Sequence, residues 1–470
     1  MPNRKPNVVV FFTDQQRWDC SGLHGNPLGL MPNFDRLAHH GTHLFNHVSP
    51  APVCGPARAC LQTGTFVSNN GAYANKRPLP DGMPTLAECF NAAGYETGYV
   101  GKWHLAGPDG GADPDNPRGP VAEHARGGYR HWLAAEGLEF SLHEYKAVLY
   151  DEANQPHELP GYRTDAVADA GIRFLSKHRD DPFLLMMSFI EPHHQNDKDD
   201  YPPPDGYREL YAGRWTPPDL AALPAFLDND DRLGGTTHQH LAGYWGMVKR
   251  LDEALGRVCD ALKSMSLFED TIVVFTSDHG CHFRTRAAEY KRTAHESSIR
   301  VPTMLHGGPF SQGRTLRRLT SLVDLAPTLL DACGLDVPET MDGSSILPLI
   351  RGDCDQWSEE ALIQVCDEHV GRAVRTARWK YCVMSDASSY DVKTNFDGII
   401  YREAFLYDLQ SDPYELRNLI QLANCAPIRE RLRQRLVASM ARAGEAEPRI
   451  EPATAERPER YDLHPGELDQ

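Results

Sequence analysis

Two dipeptides that could hold a cation each follow an apolar run. Asp14-Gln15 comes directly after Val8-Val-Val-Phe-Phe-Thr, and Asp278-His279 directly after Thr271-Ile-Val-Val-Phe-Thr-Ser. Together they offer carboxylate, amide and imidazole donors, the outline of a metal site. Any one of them has a plainer reading, since an aspartate after a strand often caps the next helix and an isolated histidine is commonly a hydrogen-bonded structural residue. Cys54 and Arg58 stand four apart in Cys54-Gly-Pro-Ala-Arg58, followed by Leu61-Gln-Thr-Gly64. The plainer reading of Cys54 is a small buried residue in a Gly-Pro turn. Lys102 and His104 alternate across Trp103, so in an extended segment both face the same way.

Something must bring these scattered residues to one place. The runs from Val8, Phe183 and Thr271 read as fully buried strands of a parallel sheet covered on both faces. In open α/β sheets ligands bind beyond the carboxyl ends of the strands, so the polar residues that end these runs are expected to converge. Leu241, Tyr244, Trp245, Val248, Leu251, Leu255, Val258 and Leu262 recur at helical spacing and predict one amphipathic helix leading into the third run. Residues 106–128 and 195–240 are rich in Pro, Gly, Asp and Asn and read as long loops of the kind that shape binding sites. The expected fold is α/β, a large mixed, mostly parallel sheet sandwiched by helices, with a smaller C-terminal antiparallel-sheet domain. The expected division is a catalytic domain over 1–352, a smaller α+β domain over 353–425, and a helix and tail over 426–470. Ile428, Leu432, Leu436, Val437 and Met440 mark that helix. Gly444 to Gln470 lacks a core of its own and is expected to be either disordered or pinned to a neighbouring subunit, a route to a homo-oligomer.

With 470 residues, 41% of them hydrophobic, the chain is long enough for a large core. Lys and Arg number 48 against 65 Asp and Glu, a net charge of −17, which argues against nucleic acid as a partner and repels anions at long range. An anionic substrate must therefore be held by a local cluster of cation and basic side chains. The run Val8–Phe12 is too short for a signal peptide or a membrane span, so a cytoplasmic protein without membrane association is expected. Eleven cysteines without regular spacing predict mostly reduced thiols.

The pattern Cys-x-Pro-x-Arg followed by Leu-x-Thr-Gly resembles the signature of type I, formylglycine-dependent sulfatases of the alkaline phosphatase superfamily. The resemblance extends over nearly the whole chain, in the family's order: Thr13-Asp14-Gln15, Pro32-Asn-Phe-Asp-Arg-Leu-Ala38, Gly101-Lys-Trp-His104, Glu191-Pro-His193, Ser277-Asp-His-Gly280, Lys291 through Glu296 to Val301-Pro302, Asp324-Leu-Ala-Pro-Thr328, and Leu406-Tyr-Asp-Leu409 with Asp412-Pro413 and Asn418-Leu419. It implies that Cys54 is oxidised by a formylglycine-generating enzyme to an aldehyde whose hydrate is the nucleophile. A single-hydroxyl or thiol nucleophile would leave a sulfated enzyme needing a second attack at sulfur. A hydrate carries a second hydroxyl, whose deprotonation expels sulfate by C–O cleavage.

The resemblance further implies that Asp14, Gln15, Asp278, His279 and the modified Cys54 bind one divalent cation. Arg58 would orient the hydrate, Lys102 would bind sulfate oxygens, and His104 would take the proton that lets sulfate leave. His193 and Lys291 would contact the bridging ester oxygen, and the Pro-His pairing favours His193 over His194. Two departures stand out: many family members carry Asp-Asp after the first strand and Asp-Asn after the third. Gln15 and His279 lower the negative charge of the ligand set, so Ca2+ leads and Mn2+ is its rival. The expected reaction is hydrolysis of a small-molecule or carbohydrate sulfate ester. The Asp-Gln and Asp-His pairs also resemble phosphonate monoester hydrolases and phosphodiesterases with the same machinery, the alternative reaction. A non-catalytic metal-binding relative is the alternative of another class. Specificity is expected in the long loops, where Trp215 and Asp228 to Asp231 could meet a sugar or an ammonium group, in the small domain and in the C-terminal tail.

Overall fold

The computed structural model describes residues 5–110, 119–139, 143–196, 198–222, 237–287, 289–354, 357–367, 369–385 and 400–454. Its larger sheet has ten strands: β1 (Asn7–Thr13), β2 (Thr42–Val48), β3 (Glu96–Lys102), β4 (His131–Ala135), β5 (Ala147–Asp151), β6 (Pro156–Leu159), β7 (Phe183–Ser188), β8 (Thr271–Ser277), β9 (Met304–His306) and β10 (Arg314–Ser321). Their order across the sheet is β10-β2-β9-β8-β1-β7-β3-β4-β5-β6. The block β8-β1-β7-β3-β4 is parallel throughout, β9 joins antiparallel to both β8 and β2, and β5 and β6 extend the other edge antiparallel. The three apolar runs are thus neighbouring central strands, and the sheet is mixed and mostly parallel as expected.

Strand alternation divides the core into two layers. Val9, Phe11, Leu185, Met187, Val273 and Phe275 face one cluster, and Val8, Val10, Phe12, Leu184, Met186, Ile272 and Val274 face the other. Two-sided burial is why these runs are continuously apolar rather than alternating. The helix Thr237–Ser264 covers the first face, and each apolar position named above on it is at most 3% exposed. Within the expected loops, the described parts hold short helices at Tyr207–Tyr211 and Pro218–Ala222. Trp215 packs on Trp245 with ring centroids 6.0 Å apart, as part of the core rim rather than as an open ligand platform. Asp228 to Asp231 lie outside the described residues.

A second sheet follows: β11 (Glu360–Val365), β12 (Gly371–Thr376), β13 (Trp379–Ser385), β14 (Ile400–Asp408) and β15 (Arg449–Glu451), antiparallel except that β15 runs parallel to β14. The helix Ala426–Arg442 packs Ile428, Leu432, Leu436 and Met440 against it. The expectation for the tail needs correction over its described part. β15 completes this chain's own sheet, and Glu445 is buried in an ion pair with Arg372 at 2.7 Å, so 444–454 is held by its own subunit. The physical reason is that edge pairing and one buried ion pair fix a segment that has no apolar core of its own. Residues 455–470 lie outside the described part. Buried Glu296, at the start of the short helix Glu296–Ile299, is 3.0 Å from Lys380 on β13 and 3.1 Å from Arg375 on β12. All eleven cysteines are free thiols. Among the described residues no helix is long and apolar enough to cross a membrane.

Candidate active site

Backbone bonds between strand ends draw the two acidic pairs together. Asp278 N–H donates to the Thr13 carbonyl at 3.2 Å, and Asp14 N–H to the Glu191 carbonyl at 3.1 Å, so the carboxyl ends of β8 and β1 and the turn after β7 form one rim. Gln15 turns away from β1 through a left-handed φ of 67°, held by its N–H on Asp278 Oδ1 at 3.0 Å. Cys54 is the first residue of the helix Cys54–Thr63, and Pro56 is tolerated there because first-turn N–H groups have no intrahelical partner. Arg58, one turn on, projects from the same face.

All the nominated residues except His104, at 8% exposed, are at most 5% exposed. Cys54 Sγ lies 2.8 Å from Lys291 Nζ, 3.3 Å from His279 Nε2 and 3.6 Å from Asp14 Oδ1. Lys291 Nζ is also 3.0 Å from His193 Nε2. Lys102 Nζ lies 2.8 Å from Asp14 Oδ2 and 2.9 Å from Glu139 Oε2. The Arg58 guanidinium donates to Asp14 Oδ2 at 2.9 Å, Asp278 Oδ2 at 3.1 Å, Ser188 Oγ at 2.7 Å and the Lys102 carbonyl at 3.0 Å. Its fork thus ties the two aspartates to each other and to β3 and β7. His104 sits beyond the end of β3 at a left-handed φ of 64°, its Nε2 3.9 Å from Glu139 Oε1. The alternation expected of an extended segment is therefore broken, yet Lys102 and His104 converge on one carboxylate.

The charges are strongly coupled. Burial pushes the Cys54 thiol up, but Lys102, Lys291 and His279, with a hydrogen bond from His104, hold it well below its ordinary value. Burial and the Cys54 sulfur also push Asp14 up, and Lys102, His193 and Arg58 outweigh them, holding it below the usual carboxylate range. Asp278 moves the other way, raised by burial and by the charge of Asp14. Two carboxylates this close share the Arg58 cation and titrate as a pair. Burial, and then Lys291, lowers His193, favouring a neutral ring. Glu139 is pulled down to about 2 against its burial, by Lys102, His104 and His193.

The Sulfatase family model matches residues 6–335, and a model described as N-sulphoglucosamine sulphohydrolase, C-terminal, matches residues 288–442. The chain belongs to the sulfatase family. It is a sulfuric ester hydrolase of the alkaline phosphatase superfamily. The chain is similar to the ulvan-active sulfatase of Formosa agariphila, 29% identical over 94% of this chain and 82% of that one. It is similar to the N-acetylglucosamine-6-O-sulfatase of Bacteroides thetaiotaomicron, 23% identical over 92% and 86%. A solved structure from Bacteroides fragilis assigned as a sulfatase superposes with a TM-score of 0.77 at 25% identity, covering 94% and 96% of the two chains.

This sulfatase presents a donor set that fits a cation. One ligand atom each from Asp14, Cys54, Asp278 and His279 lies within 4.8 Å of the others. His279 donates Nδ1–H to the Gly280 carbonyl at 2.8 Å, which leaves the Nε2 lone pair facing the cluster. Gln15 Oε1 is buried and has no hydrogen-bond partner, while Nε2 of the same amide is taken by Tyr201 and Cys281. A buried amide oxygen that no protein group uses, on the residue next to Asp14, is an acceptor that fits a cation ligand.

Two members of the sulfatase's site escaped the sequence reading. Glu139 falls after β4 in a Glu136-Gly-Leu-Glu139 stretch without any motif, and only the pairing of β3 with β4 brings it to Lys102. Ser188 ends β7, and the rule that strand ends carry chemistry could have flagged it. The histidine pair separates clearly. His193 reaches Lys291, while His194 stacks on His193 and Tyr290 with ring centroids 4.5 and 4.2 Å away.

Proposed function

We propose that the chain hydrolyses sulfate monoesters of a sugar through a nucleophile made from Cys54 by a separate formylglycine-generating enzyme. The observation that carries this reading is the placing of Cys54 Sγ, buried at a helix start, 2.8 Å from Lys291 Nζ and 3.3 Å from His279 Nε2. Once modified and hydrated, that side chain supplies two hydroxyls on one carbon, one to attack sulfur and one whose deprotonation expels sulfate. Asp14, Gln15, Asp278 and His279 would hold the divalent cation, calcium first and manganese second. When bound it supplies Lewis acidity toward a sulfate oxygen and favours the ionised hydroxyl.

The chain's own residues then have distinct tasks. Arg58 fixes the spacing of the carboxylates. Lys102, already paired to Asp14 and Glu139, places positive charge where sulfate oxygens gather, offsetting the repulsion of an acidic chain. His104 would take the proton that releases sulfate, a role supported by its hydrogen bond to Cys54 and its unpartnered, buried Nδ1. Lys291 and His193, 3.0 Å apart on the other side of Cys54, hold and donate the proton to the departing alcohol. A sugar substrate is supported by the name of the Bacteroides thetaiotaomicron relative, and the acidic surface suits a substrate recognised locally rather than by long-range steering.

The test joins peptide mass spectrometry across Cys54 with turnover of an aryl sulfate and an aryl phosphonate by the same preparation. The expected result is the mass loss of thiol-to-aldehyde conversion together with faster sulfate turnover. A preference for the phosphonate would move the reaction to phosphorus, and full activity in Cys54→Ala would remove the nucleophile from the scheme.

A further inference from the structure

A second constellation of metal-ligating residues lies at the opposite end of β3 from Lys102. Glu96 opens β3, His131 opens the adjacent parallel strand β4, and His178 is the C-cap of the helix Arg163–Lys177. One ligand atom of each lies within 4.8 Å of the other two. Glu96 Oε2 is 2.8 Å from His131 Nε2, and the rings of His131 and His178 have centroids 4.2 Å apart. Six residue steps of β3, at roughly 3.3 Å each, put this cluster about 20 Å from the catalytic one. It is a separate place on the sheet.

Three features point to a ligand. His178 is 7% exposed, yet its Nε2 has no hydrogen-bond partner. Packing of that ring on Phe174, with centroids 4.6 Å apart, does nothing for a lone pair, and a buried polar atom left unsatisfied is costly. Next, each imidazole has a carboxylate beyond its other nitrogen. Glu152 Oε1 is 3.9 Å from His131 Nδ1, and Asp181 Oδ2 is 3.9 Å from His178 Nδ1. At 3.9 Å these are longer than hydrogen bonds, but they put an acceptor on the side of each ring where the outer partners of metal-bound histidines stand. Finally, His178 closes a 15-residue helix, whose carbonyl end favours a cation.

We propose that Glu96 Oε, His131 Nε2 and His178 Nε2 bind a borderline divalent d-block cation, zinc in the first instance, which clamps the starts of β3 and β4 to the end of the helix Arg163–Lys177. Two imidazoles and one carboxylate suit zinc and not calcium, which takes oxygen donors. The site therefore differs in metal preference from the oxygen-richer cluster around Asp14. Binding inserts the ion into the Glu96–His131 hydrogen bond and gives the unpartnered nitrogen of His178 a ligand.

The experiment counts zinc on the full chain. Protein stripped with a chelator and dialysed is titrated with Zn2+ by calorimetry, in the wild type and in His131→Gln and His178→Gln. Because the cluster around Asp14 also offers carboxylate, thiol and imidazole donors, the readout is the difference: the wild type should take one more equivalent per chain than either variant. The rise in Tm with excess Zn2+ should fall in the same variants. Glu96→Gln, at the more exposed ligand, guards against a folding failure and should weaken the extra site at least tenfold. Circular dichroism of each variant checks the fold independently of any turnover. Equal zinc stoichiometry in the wild type and both histidine variants, or an extra equivalent that calcium displaces, overturns the proposal.

Discussion

Replacing Arg58 by alanine should damage the site in a way that a cation partly repairs. The guanidinium is 2% exposed and donates to Asp14 at 2.9 Å and Asp278 at 3.1 Å. Its removal leaves two buried carboxylates facing each other with Lys102, His193 and His279 to offset their charge. Breaking a buried ion pair from one side costs about 3–5 kcal/mol. With unfolding entropy near 2.1 cal/mol/K per residue, a 470-residue chain unfolding as a unit has about 1 kcal/mol/K, so the melting temperature should fall by about 3–5 °C. The measurement is thermal unfolding by calorimetry in chelator and again in saturating calcium. The gap between Arg58→Ala and the wild type should be largest in chelator, because an added cation neutralises the same carboxylates. Arg58→Lys should fall between the two, since an ammonium lacks the fork that spans both aspartates. A variant melting within about 1 °C of the wild type in chelator would refute the view that Arg58 holds the two carboxylates together.

Three further outcomes follow from the same geometry. Glu139 has its pKa depressed to about 2 from an ordinary 4.5. A depressed carboxylate adds stability that is present above its unfolded pKa and lost as pH falls through the folded one. Glu139→Gln should therefore be less stable by about 3 kcal/mol at pH 7, with the difference shrinking between pH 4.5 and 2, as urea unfolding at pH 7 and pH 3 will show. Lys291→Ala removes an ammonium 2.8 Å from Cys54 Sγ; if it donates the proton as proposed, kcat should fall by about 10²–10⁴ on a sugar sulfate. The loss should be smaller on an aryl sulfate, whose phenolate leaves without help, and equal losses on both would separate Lys291 from the leaving group. Gln15→Ala removes an acceptor that no protein group uses, so calcium affinity read by calorimetry should drop at least about tenfold while the fold is kept. An unchanged affinity would take Gln15 out of the ligand set.

The sequence carried the central strands because two-sided burial writes itself as an unbroken apolar run, and β1, β7 and β8 lie side by side as those runs implied. It also pointed to ten residues that the structure brings close together, since strand ends and a fixed Cys-to-Arg spacing are local features. Glu139 was hidden because nothing near it in the chain signals its role, which exists only where β4 pairs with β3. Which of His193 and His194 reaches Lys291 was likewise visible only in the tertiary structure. The tail misled for the complementary reason: edge-strand pairing of β15 and the Arg372–Glu445 ion pair are long-range contacts with no local pattern. Sequence by itself determined which side chains could do chemistry and which segments had to be buried. Only the tertiary structure decided which charges share a space, because electrostatic coupling depends on distances of a few ångströms between residues far apart along the chain.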